Sequence, residues 1–293
     1  MRVLVLGGTG SIGSAVVREL LARGHVVFGL ARSGVSAAKL GEWGATSIAG
    51  DIASPSSWTM GLPPVDAIIH AACDFSTAMG AIDHHLLDVM LAALATQPKR
   101  PRFIYTAGCW LFGATGDAVA TEETPFNALP AFAWMVPNLR RVLSAPEVEG
   151  IVIHPAMVYM PQGGVFQRFV RDASERDAVR VVGSEVVRWP LVHGEDLAIL
   201  YALALERAPA GSSYIGVAVE GLAVGMVARA FAKRFGTRRA EPEIVSADSI
   251  AAELGEWAKG YALDQRLSGA KARRELGWQP RHLDPETEIA GLA

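Results

Sequence analysis

The chain has 293 residues, 51% of them hydrophobic, and a net charge of −3, so a large core is available and no basic surplus exists to hold nucleic acid. Its two cysteines, Cys73 and Cys109, form neither a disulfide framework nor a metal motif. No apolar run reaches membrane-spanning length, and the first residues read as a strand rather than a signal peptide, so a cytoplasmic protein is expected.

Residues 2–6 are almost wholly apolar, as a strand buried on both faces is. Gly7, Gly10 and Gly13 follow at three-residue spacing. Val16, Val17, Leu20 and Leu21 then recur at helical spacing up to Gly24, and 25–30 read as a second strand. Strand, glycine turn, helix and strand in that order make a dinucleotide-binding fingerprint. Glycine lets the chain turn tightly, lets backbone N–H groups approach a pyrophosphate, and lets the helix pack close to the strand. The free N–H groups of the helix start then face the phosphates. The expected contacts are Gly7, Thr9, Gly10, Ser11, Ile12 and Gly13.

The second strand runs into Ala31-Arg32-Ser33, where an acid would bond the ribose 2′-hydroxyl of NAD. No carboxylate is present there, so Arg32 and Ser33 are assigned to a 2′-phosphate and NADPH is the expected cofactor, NADH remaining open. Residues 45–50 form a third strand before Asp51 and Ile52, and Ser54-Pro55 reads as a helix start. Strands follow at 65–70, 102–106 and 151–154, with a helix over 79–95. Beyond Pro155 the pattern loosens, except for a helix over 197–205 and a strand over 213–219. Alternating strands and helices predict an α/β fold, a Rossmann-type doubly wound parallel sheet with a smaller, discontinuous C-terminal substrate-binding cap. The expected division is a nucleotide domain over 1–160, rejoined by about 191–235, and a cap from 161–190 and 236–293.

Several segments together resemble the extended, or atypical extended, short-chain dehydrogenase/reductases, which are epimerase/dehydratase-like. They are Gly7 to Gly13, Gly50-Asp51, His70-Ala71-Ala72, Tyr105 to Gly108, His154 to Tyr159, Leu191 to Ala198, and Leu276 to Pro280. The resemblance implies that Asp51 and Ile52 meet the adenine, Ala71 and Ala72 the pyrophosphate and ribose, and Pro155, Met157 and Val158 the nicotinamide. Thr106, ending the fifth strand, is assigned to the cofactor ribose.

Such enzymes use a Ser or Thr, a Tyr and a Lys for acid catalysis and oxyanion stabilisation. Here Ala107-Gly108 stands at the serine, Trp134 at the tyrosine and Asn138 at the lysine, so the usual set is absent and Thr106 is the catalytic candidate that remains. An indole N–H donates but is not a usable acid. Pro137 further implies that the helix starts near Val136. His154 reads as a core histidine, and His84, His85 and His193 are not spaced with carboxylates for a metal. Around this gap the sequence gathers apolar bulk. Cys73, Cys109, Trp110, Phe112, Trp134, Met135, Met160 and Phe166 are the expected substrate contacts. The expectation is an NADPH-dependent ketoreductase acting on a small-molecule aromatic ketone of polyketide, angucyclinone-like character. The alternative is a non-catalytic NADP(H)-binding sensor or scaffold. The oligomeric state is left open.

Overall fold

The computed structural model describes residues 1–161 and 163–292. Strand β1 (Arg2–Leu6) is buried after its first residue, and α1 (Gly13–Ala22) turns Val16, Val17 and Leu20 inward. The next unit is β2 (Val26–Ala31), α2 (Gly34–Trp43) and β3 (Thr46–Ala49). Ser33 starts α2 by accepting from the Ser36 N–H, and Gly44 ends it in the left-handed region. The short α3 (Ser56–Thr59) leads to β4 (Ala67–His70), α4 (Met79–Leu94), β5 (Arg102–Thr106), α5 (Met135–Ser144) and β6 (Glu149–Pro155). Helix α5 opens at Met135, so Pro137 lies in its first turn, where a missing N–H costs nothing.

The remainder runs through β7 (Met157–Met160), β8 (Gly163–Gly164), α6 (Phe166–Arg176), β9 (Arg180–Val182), β10 (Arg188–His193), α7 (Gly194–Arg207) and β11 (Ser212–Gly216). It ends with β12 (Val219–Ala223), α8 (Val224–Phe235), β13 (Glu243–Val245), α9 (Ala247–Leu254), α10 (Ala270–Leu276) and α11 (Pro285–Ala290). Seven parallel strands form one sheet in the order β11-β6-β5-β4-β1-β2-β3. The order reverses between β1 and β4, and the crevice at that point is where α/β sheets take ligands. A mixed sheet, β12-β10-β7-β8, and the pair β13-β9 lie outside it. The stretch 191–235 is therefore split. Helix α7 packs on α1 and β11 completes the large sheet, whereas β10 and β12 form the small sheet and α8 packs on α6. The strand expected at 213–219 stops at Gly216, and Val219 opens a strand of the other sheet.

Helices α6 and α9 and strand β9 are tied by an ionic knot whose Asp172 and Arg180 are buried. Arg180 spans Asp172 (2.9 Å) and Glu253 (2.7 Å). The Arg168 guanidinium lies over the Phe169 and Tyr261 rings at 4.7 and 4.9 Å. Burial also shapes His154 on β6. It is 1% exposed, between the Phe112 and Phe126 rings, with Nε2 2.9 Å from Ser213 Oγ. Desolvation holds its pKa down at about 4 from the ordinary 6.5. The unfolded chain thus gains a proton here below the ordinary value, and the folded chain does so only near the depressed one. Stability present above pH 6.5 is lost as pH falls towards 4, by about 3 kcal/mol. Urea unfolding across this window should show that loss in the native protein and a flatter profile in His154→Gln. An identical profile in both would place the acid sensitivity elsewhere.

Candidate active site

One cavity of about 750 Å³ runs along the C-terminal edge of the large sheet. Its first end is the turn after β1. A Cβ built at Gly7, whose φ is +79°, would lie 2.6 Å from the Ala71 carbonyl oxygen. One at Gly13 would lie 2.1 Å from the Gly7 oxygen, so Gly13 lets α1 meet the turn and does not itself line the cavity. Gly10 meets only the Gly7 oxygen, at 3.3 Å, and otherwise leaves the cavity clear. Helix α1 begins with no side-chain cap and no acid in its first turn. Uncapped N–H groups facing a glycine-walled space fit a pyrophosphate.

Thr9, Gly10, Ser11, Ile12, Arg32, Asp51, Ile52, Ala71 and Ala72 all border this half. Ser33 does not. Its hydroxyl is engaged with the Ser36 N–H and Oγ, both at 3.2 Å, and Ser36 borders the cavity in its place. The far half is lined by Thr106, Ala107, Gly108, Pro155, Met157 and Val158. The Thr106 hydroxyl is 2.7 Å from that of Tyr201. Nothing lies within 4 Å of a Cβ built at Gly108, so the missing serine is no result of crowding.

Helix α5 offers Met135 to the cavity. Trp134 does not reach it: its Nε1 donates to the Ala131 carbonyl at 2.9 Å, and its ring covers Gly80. Asn138 is likewise buried away from the cavity. Of the other expected substrate contacts, Cys73, Cys109 and Trp110 line the cavity. Phe112, Met160 and Phe166 are packing residues. Phe112 lies 5.4 Å from Phe126, Met160 covers Gly194, and Phe166 stacks on Tyr159 at 4.6 Å. Desolvation raises the Cys73 thiol to about 11 and the Cys109 thiol to about 12, so both stay neutral and poorly nucleophilic.

Sequence reasoning missed two groups. The first is aromatic. Phe75, Trp257 and Tyr261 join Trp110 and Phe132 around the mouth. Trp110 lies 5.6 Å from both Phe132 and Tyr261 and 6.3 Å from Trp257. A Cβ at Gly260 would fall 2.4 Å from the Trp110 ring, so glycine is needed for that contact. The second group is polar. Asp83, on α4, lines the cavity although it is only 6% exposed. It receives His70 Nε2 on Oδ1 at 2.7 Å, and Tyr105 Oη and Asn138 Nδ2 on Oδ2 at 2.8 and 2.7 Å. Elsewhere His193, Glu195 and His282 come close enough to suggest a metal. The two rings stack at 3.9 Å, however, and His193 Nδ1 accepts the Glu195 N–H, leaving its proton on Nε2. That arrangement starts a helix rather than converging on an ion.

The sequence model of the NAD dependent epimerase/dehydratase family matches residues 3–216. The chain belongs to that family. An uncharacterized protein of Schizosaccharomyces pombe is 29% identical over 300 residues, covering 100% of this chain and 99% of the relative. A 4-hydroxy-2-methyl-3-oxo-4-farnesyl-3,4-dihydroquinoline-1-oxide ketoreductase of Stigmatella aurantiaca is 25% identical, covering 96% and 92%. The human epimerase family protein SDR39U1, solved with NADPH, superposes with a TM-score of 0.82 at 21% identity, covering 100% of this chain and 99% of that one. The last likeness concerns the fold alone. No lysine lines the cavity among the described residues.

Proposed function

We propose that the protein is an NADPH-dependent ketoreductase that reduces a ketone on a bulky aromatic, polyketide-like substrate, as the atypical reductases of angucyclinone ketones such as the simocyclinone 7-ketoreductase do. One observation carries this reading. A single cavity joins the glycine cradle to a mouth walled by Trp110, Phe132, Trp257 and Tyr261. A flat apolar ligand is held by such a wall, and stacking orients it. The ketoreductase relative, which acts on an oxo-dihydroquinoline, supports the same class. Arg32 beside the cavity, with no acid at the end of β2, supports NADPH over NADH.

The bound cofactor supplies a hydride for the carbonyl carbon. The glycine turn and the N–H groups of α1 hold the phosphates, Arg32 takes the 2′-phosphate, and the aromatic mouth excludes water and sets the substrate plane. No side chain at the usual Ser, Tyr and Lys positions gives the proton to the carbonyl oxygen, since Ala107-Gly108, Trp134 and Asn138 stand there. That gap favours, as a second reading, an NADP(H)-binding sensor or scaffold. Incubating the protein with NADPH and a panel of polycyclic aromatic ketones, followed at the reduced-cofactor absorbance, separates the two. Turnover of at least one ketone is expected. Tight NADPH binding with no turnover of any would favour the sensor.

A further inference from the structure

We propose that Asp83 accepts a hydroxyl of the nicotinamide ribose at the far end of the cavity, in place of the absent lysine. The inference rests on the cofactor reading above. Burying a carboxylate is costly unless donors surround it. Asp83 has three, from His70, Tyr105 and Asn138, and no Lys or Arg pairs with it among the described residues. A carboxylate offers about four lone-pair positions. Three are filled by the protein, and Asp83 borders the cavity, so one acceptor position is left for a ligand hydroxyl.

The donors also say which ligand half this is. His70 ends β4 and Tyr105 lies on β5 beside Thr106. Arg32 and Asp51 follow β2 and β3, on the other side of β1. A dinucleotide lying across the switch point between β1 and β4 puts its adenosine over the second side and its other nucleoside over β4, β5 and β6. Asp83, bonded to His70 of β4 and Tyr105 of β5, is therefore assigned to the half of the cavity that would take the second nucleoside. The network fixes the orientation of the group. The Ala72 N–H points to His70 Nδ1 at 3.5 Å, which places the ring proton on Nε2, facing Asp83. Asn138 Oδ1 is held in turn by His84 Nδ1 at 3.2 Å, so its amide nitrogen faces Asp83. Each donor is thus turned towards the carboxylate before any ligand arrives.

The test is binding rather than turnover. Dissociation constants are measured for NADPH, for an NADPH analogue with a 2′,3′-dideoxy nicotinamide ribose, and for adenosine 2′,5′-bisphosphate, which lacks that nucleoside. The native protein should bind the dideoxy analogue about tenfold more weakly than NADPH. Asp83→Asn should bind NADPH about tenfold more weakly than the native protein, no longer separate NADPH from the analogue, and hold the bisphosphate within about twofold. Equal affinity of the native protein for NADPH and the analogue overturns the proposal, and this arm stands even if the variant does not fold. Undiminished discrimination in a folded Asp83→Asn overturns it as well. Native protein that binds the bisphosphate but gains nothing from the second nucleoside overturns the anchor while leaving the adenosine site. Failure to bind any of the three removes the cofactor reading itself.

Discussion

Arg32→Asp is expected to weaken NADPH by about 100-fold while changing NADH by less than about threefold. Arg32 follows β2 and borders the cavity, and no acid stands near it at the strand end. A guanidinium there meets a 2′-phosphate with paired, charge-assisted hydrogen bonds. Aspartate removes those bonds, adds repulsion, and offers an acceptor to the free ribose hydroxyls of NADH. Ser33→Ala is the informative companion. Its hydroxyl caps α2, so its loss should cost about 1 kcal/mol of stability and leave the cofactor ratio alone. Titrating both cofactors against all three proteins by intrinsic fluorescence measures this. An unaltered NADPH/NADH ratio in Arg32→Asp would take the 2′-phosphate away from Arg32.

The large sheet was legible because its signals are local. Apolar strands, a glycine turn and an alternating helical period each need only neighbours in sequence. The phosphate half of the cavity follows from the same turn, and only Gly13 and Ser33 fall outside it, each taken by a local packing or capping duty. The far half is assembled from distant pieces. Trp257 and Tyr261 come from a stretch with no clear period, and nothing near them in sequence says that they face Trp110. Trp134 and Met135 are adjacent, and the start of α5 decides which one faces inward. Asp83 did leave a trace. It falls in register with Leu87, Met90 and Leu94 on the buried face of α4, an acid where the helical pattern calls for an apolar residue. Such a position points to a partnered or ligand-binding carboxylate.

The proton is the remaining question, and the largest effect is expected from the substrate rather than from any side chain. Thr106→Val, Cys109→Ala and Met135→Leu should each slow reduction by less than about tenfold, short of the roughly 10²–10⁴-fold expected when a general acid is lost. The geometry explains why. The Thr106 hydroxyl already shares a bond with Tyr201, the Cys109 thiol is buried and held neutral up to about 12, and a thioether has no proton to give. Asp83 receives three donors and acts as an acceptor. Trp134 is turned away from the cavity, so its substitution should act through packing alone, and Asn138 bears on the cavity only through its bond to Asp83. A hydroxyl of the substrate placed beside its ketone would fill the gap, donating to the carbonyl oxygen as charge develops there. Replacing that hydroxyl by a methoxy group should slow turnover by more than about 100-fold with little change in substrate affinity. Steady-state kinetics of the three variants and the one analogue decide it. A variant that loses activity on that scale, yet binds NADPH and substrate normally, would identify a protein acid. A methoxy analogue reduced at the native rate would make bulk water the proton source, and the aromatic wall would then serve orientation alone.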